Sequence, residues 1–81
     1  MKHKIKKESS EFEFFKELYV FRQEYYNPST DDDYEKLTKR VSELNKKYEN
    51  EPFYKFVKGV LLAHLNDVNE RSIKCTENGY Q

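Results

Sequence analysis

The sequence predicts an all-α protein, a small three-helix bundle, on three observations. The first is the stretch Phe53–Val68, FYKFVKGVLLAHLNDV, where apolar residues crowd closely enough to anchor a core. At about 100° per residue, Phe53, Val57, Val60, Leu61, His64 and Val68 fall on one face, and sixteen residues at this density suit a buried helix rather than a strand. The second is that two earlier stretches repeat apolar residues at three-and-four spacing. The third is the scarcity of turn residues: two Gly and two Pro are too few for an all-β fold. The expected helices cover 10–26, 31–49 and 52–71, with a flexible basic arm at 1–9, one domain over 10–72 and a flexible polar tail at 73–81.

In the first helix, Ser10-Glu11-Phe12-Glu13 fits a capping box, in which the serine oxygen accepts from a helical N–H and the glutamate reaches back. Pro28 stops the helix. Its aromatic content forms two neighbouring stripes. Phe12, Phe15, Tyr19 and Tyr26 make one, and Phe14, Leu18, Phe21 and Tyr25 make the other. A helix that meets two neighbours buries a broad face, so both stripes can belong to the bundle. Alternatively, one serves a partner, since Tyr and Phe are enriched at interface cores.

Before the second helix, Ser29 or Thr30 is placed to cap, and Asp31, Asp32 and Asp33 favour the positive end of the helix dipole. Tyr34, Leu37, Val41, Leu44 and Tyr48 then form a narrow seam, with Glu35–Lys39 and Glu43–Lys47 as acid-before-base pairs outside it. The short link after Tyr48 makes the second and third helices antiparallel neighbours. Asn50-Glu51-Pro52 reads as a helix start with proline at the first helical position. Gly59 inside the third helix reads as a place of close approach by another helix. Leu62 points away from the apolar face, and His64 reads as a core histidine hydrogen-bonded to a neighbour.

Length and composition bound the function. Eighty-one residues allow one small domain near the lower limit for a chain without disulfides or metals. Charged residues make up 37% and apolar ones 36%, so six Phe and seven Tyr must carry an economical core. Net charge is zero, which argues against a generic nucleic-acid binder, although Lys2, Lys4, Lys6 and Lys7 concentrate positive charge in the arm. The lone Cys75 suits a reducing interior, and no apolar run approaches membrane-spanning length, so a cytoplasmic location is expected.

Chemical machinery is sparse. Two histidines and one cysteine do not make a zinc site or an oriented nucleophile–base pair. The aspartates at 31–33 lack the spread ligands and central glycine of a calcium loop, and no glycine-rich phosphate loop exists. No enzyme activity, cofactor, metal or small-molecule substrate is expected. A helix-turn-helix reading fails because the third helix offers Tyr54, Lys55 and Lys58 but is mostly apolar, while acids interrupt the Lys36, Lys39, Arg40, Lys46 and Lys47 face of the second.

Three features carry a family resemblance: an aromatic first helix ending in Tyr25-Tyr26-Asn27-Pro28, an acidic start to the second, and Phe56-Val57-Lys58-Gly59-Val60-Leu61-Leu62-Ala63 after Tyr48. Over residues 12–70 the chain resembles small all-helical proteins of phages and prophages of low-GC Gram-positive bacteria. The resemblance supplies no site residues; it implies a role in binding and modulating or inhibiting a host protein. The expectation is therefore a non-enzymatic protein-binding module, with a host protein or a second copy of itself as partner. Its binding surface is expected at Phe14, Leu18, Phe21, Tyr25 and Leu62. The alternatives are a nucleic-acid-associated accessory protein using the arm and the second helix, and a minor phage structural or assembly protein.

Overall fold

The computed structural model describes the backbone of residues 1–79 and side chains through Ser72. It contains α1 (Ser10–Glu24), α2 (Asp31–Tyr48) and α3 (Tyr54–Gly79), with no strand among the described residues. Contacts fix their directions. Glu13 and Glu17 near the start of α1 meet Lys47 near the end of α2, so these helices are antiparallel. Phe15 meets Phe56, Phe21 meets His64 and Arg22 meets Asp67, so α1 and α3 run parallel.

The helix boundaries follow local chemistry, in places one or two residues from expectation. Ser9, not Ser10, caps α1: its hydroxyl accepts from the Phe12 N–H at 3.2 Å and donates to the Lys6 carbonyl at 2.7 Å. Thr30 caps α2 in a reciprocal box with Asp33, whose Oδ2 accepts from the Ser29 and Thr30 backbone N–H groups at 3.0 and 3.2 Å. Those bonds, Ser29's first, hold the Asp33 carboxyl below its usual range. Pro52 lies in a turn before α3 rather than at its first position; the Tyr54 N–H donates to the Glu51 carbonyl at 3.1 Å. At its far end α3 continues to Gly79, where a tail was expected from 73. Side chains beyond Ser72, Cys75 among them, lie outside the described residues, as do Tyr80 and Gln81.

Phe14, Phe21, Leu37, Leu44, Tyr48, Val57 and Leu61 form the core, flanked by half-buried Leu18, Tyr25, Val41, Phe53, Tyr54 and Leu65. Leu37, Leu44 and Tyr48 come from the α2 seam, as its spacing requires; Tyr34 stays at the rim. Aromatic rings close the end of the bundle where the α2–α3 link turns. Tyr48 sits edge-on to Phe14 at 5.2 Å, and Phe53 lies 5.8 Å from Tyr48. Edge-to-face pairs of this kind add about 0.5–1.5 kcal/mol beyond their buried area.

The Tyr48 hydroxyl donates to Glu17 Oε1 at 3.2 Å, and Lys47 reaches the same oxygen as well as Glu13. Burial, then the Glu17 charge, pushes the Tyr48 phenol up to about 12. Lys47 thus ties α2 to α1 instead of pairing with Glu43, which meets Arg40 at 3.7 Å. Among the described residues Glu17 Oε2 has no hydrogen bond and lies 3.5 Å from the Arg40 guanidinium.

Candidate functional site

The α1 stripe expected to face a partner is the more deeply buried of the two. Phe14 and Phe21 are 0% and 1% exposed. They are core residues and present no surface to a partner. Leu18 and Tyr25 are half-buried wedges against that core. The stripe Phe14–Leu18–Phe21–Tyr25 faces inward because it lies between α2 and α3, where both neighbours cover it. Leu62 is 58% exposed, as expected, but it lies on the α2-facing side of α3, away from the other four. The five candidate residues therefore do not form one surface.

The other stripe is the exposed one. Phe15, Tyr19 and Tyr26 are 37%, 66% and 44% exposed, and Phe56 of α3 is 48% exposed. Phe15 and Phe56 touch across the two helices at 5.7 Å between ring centroids, tilted by 49°. Lys16 lays its ammonium 5.5 Å from the Phe12 ring at the edge of this face. Beneath it, Leu18, Arg22, Val60, Ala63, His64 and Asp67 line a shallow groove of about 260 Å³ between α1 and α3. Parallel helices with outward aromatics at one level and a polar group one to two turns on give a face with an apolar end and a charged end.

The charged end is built around Arg22. Its guanidinium meets His64 Nδ1 and Asp67 Oδ2, each at 2.8 Å. Arg22 and then Arg71 hold the Asp67 carboxyl below the usual carboxylate range. Burial, reinforced by the charge of Arg22, holds His64 below the usual imidazole range against the opposing pulls of the Tyr25 carbonyl and Asp67.

A second groove, of about 400 Å³, separates α2 from α3 around Val41, Tyr54, Lys58, Gly59 and Leu62. A Cβ built on Gly59 would meet nothing within 4 Å. Among the described residues nothing approaches that closely, which corrects the close-approach expectation: Gly59 opens onto the groove between α2 and α3.

Among the described residues, no group of three His, Cys, Asp or Glu side chains is placed to hold a metal ion, and no helix is long and apolar enough to cross a membrane. No protein-family model matches the chain, and no curated protein or solved structure matches it significantly.

Proposed function

We propose that the protein is a non-enzymatic protein-binding module that docks a partner on the α1/α3 face. One observation carries the reading: Phe15, Tyr19 and Phe56 stand exposed together, and the rings of Phe15 and Phe56 are in contact. Single exposed apolar side chains are ordinary on soluble proteins, whereas clustered aromatics are the usual anchors of interface hot spots. The outer face of α2 makes the contrast, since beyond Tyr34 it exposes no large apolar side chain.

Read with the resemblance to small phage-encoded helical proteins, the partner we propose is a host protein in the cytoplasm, bound so as to modulate it. A particle-assembly role differs only in the partner. The nucleic-acid alternative needs unpaired bases on α2, and several are engaged: Lys36 with Asp32, Arg40 with Glu17 and Glu43, Lys47 with Glu13 and Glu17.

The test compares tagged wild-type protein with Phe56→Glu and Tyr19→Glu in pull-downs from a low-GC Gram-positive lysate, with nuclease-treated and high-salt arms. Leu62→Glu serves as the control on the other groove. A defined protein retained by wild type and Leu62→Glu, but at least about tenfold weaker on either α1/α3 variant of unchanged helicity, is the expected result. Equal retention by all four proteins, or nucleic acid that washes off with salt, refutes the reading.

A further inference from the structure

Three α3 residues spaced three and four apart, His64, Asp67 and Arg71, fasten the end of α1 and the chain leading to α2. Arg71 donates to the Tyr26 carbonyl at 2.6 Å and to Asn27 Oδ1 at 2.5 Å, and its Nε reaches Asp67 Oδ2 at 3.1 Å. Asp67 in turn receives Arg22 at 2.8 Å. His64, only 4% exposed, employs both ring nitrogens: Nε2 lies 3.0 Å from the Tyr25 carbonyl and Nδ1 lies 2.8 Å from Arg22 Nη1.

These partners decide the state of the ring. A carbonyl can only accept, so Nε2 carries a proton. A guanidinium nitrogen can only donate, so Nδ1 is bare and the imidazole is neutral. We infer that His64 and Arg22 form a proton-operated latch between α1 and α3, closed while His64 is neutral and released at Arg22 when His64 is protonated.

Protonation places an N–H on Nδ1, which turns an accepted hydrogen bond into two donors and two like charges at 2.8 Å. Arg22 has somewhere to go, because its side chain is 40% exposed at the rim of the groove. The bond from Nε2 to the Tyr25 carbonyl exists in both forms, and Arg71 keeps Asp67, Tyr26 and Asn27 in place. Release is therefore confined to Arg22 and to the groove wall it builds with His64 and Asp67.

The surroundings give the direction. From α1, the Arg22 charge faces the ring and Phe21 packs on it at 4.6 Å between centroids; from α3, Asp67 and Arg71 lie along the same edge. From α2, Asp33 and Lys36 line a separate cavity with Tyr25, and no charged group of that helix is among those acting on the ring. Burial and Arg22 oppose the cation and Asp67 favours it, with a net result below the ordinary imidazole range. The latch is thus closed at neutral pH and opens in moderate acid.

An NMR titration of the whole chain tests this, following the rings of His64 and His3, the Arg22 side chain and the Tyr26 ring. Arg22 stands 4.7 Å over Tyr26, so that ring reports its departure. The expected results are an Nε2–H tautomer for His64 at neutral pH, a midpoint depressed below that of an ordinary histidine, and Arg22 and Tyr26 signals that move with it. In Arg22→Met the His64 midpoint shifts upward and the Tyr26 response at that midpoint disappears. A proton on Nδ1 at neutral pH, or a His64 titration that leaves Arg22 and Tyr26 still, overturns the latch. So does an unmoved midpoint in Arg22→Met; the wild-type tautomer and titration decide the matter if that variant does not fold.

Discussion

Replacing Gly59 with alanine should stabilise the protein. Glycine inside a helix costs about 0.8–1.0 kcal/mol relative to alanine, part of it through the greater freedom of the unfolded chain. The penalty is worth keeping only where a Cβ would collide or φ must be positive. Neither holds here: the built Cβ meets nothing within 4 Å, and no glycine among the described residues has positive φ. Gly59→Ala should gain roughly 0.5–1 kcal/mol, which in a domain of this size raises the melting temperature by roughly 2–8 °C. Urea unfolding followed by far-ultraviolet circular dichroism measures it, with the midpoint rising and the slope unchanged. A midpoint that stays or falls refutes the reasoning and means that something occupies that space in solution. If the occupant is a second copy, the wild-type midpoint will rise with protein concentration and that dependence will vanish in Gly59→Ala.

Core and face should separate cleanly by mutation. Phe14→Ala, at a fully buried ring against Tyr48, should lose about 3–5 kcal/mol and leave the domain largely unfolded. Tyr19→Ser, at an exposed ring, should change the urea midpoint by no more than about 0.5 kcal/mol equivalent. Thr30→Ala removes the α2 cap and should cost about 1 kcal/mol in the same assay. His64 binds its proton more weakly folded than unfolded, so stability is full above the ordinary histidine value of about 6.5 and falls as the pH drops from there toward the depressed folded value. Urea midpoints flat across that window would contradict the buried neutral ring. For Tyr48 the unfolded phenol ionises near 10 and the folded one at about 12, so stability falls as pH rises between them. Tyr48→Phe should remove that alkaline slope.

The α2 seam and the cap region at 29–33 were legible in the sequence because a single narrow stripe and a single cap cluster leave few alternatives. The ends of α3 were less so. Its apolar pattern fades after Val68, yet a helix stops where a breaker stops it, not where its buried stripe ends. No proline follows Pro52, and no glycine lies between Gly59 and Gly79, so nothing in the sequence interrupts α3 over that stretch. At the front, Pro52 looked like a first helical residue, but Phe53 must turn its ring toward Phe14 and Tyr48, and the chain completes a turn before α3 begins.

The α1 stripe expected at the surface is the buried one, for a reason that the sequence already contained. Both α1 stripes repeat at three-and-four spacing, so periodicity alone cannot rank them. Phe14, Leu18, Phe21 and Tyr25 run without interruption, whereas Phe12, Phe15, Tyr19 and Tyr26 skip the position held by Arg22. An arginine within an apolar stripe marks it as the one that meets water or a buried acceptor, and Arg22 does both: it reaches His64 and Asp67 while its neighbours on the stripe stay exposed. Phe56 falls outside the α3 core face, and Phe15 lies on the interrupted α1 stripe. Only their contact across two parallel helices shows that each belongs to the outer surface, and the packing of one helix against another sets that contact. Within either helix, nothing distinguishes an outward aromatic from an inward one except the charge that shares its stripe.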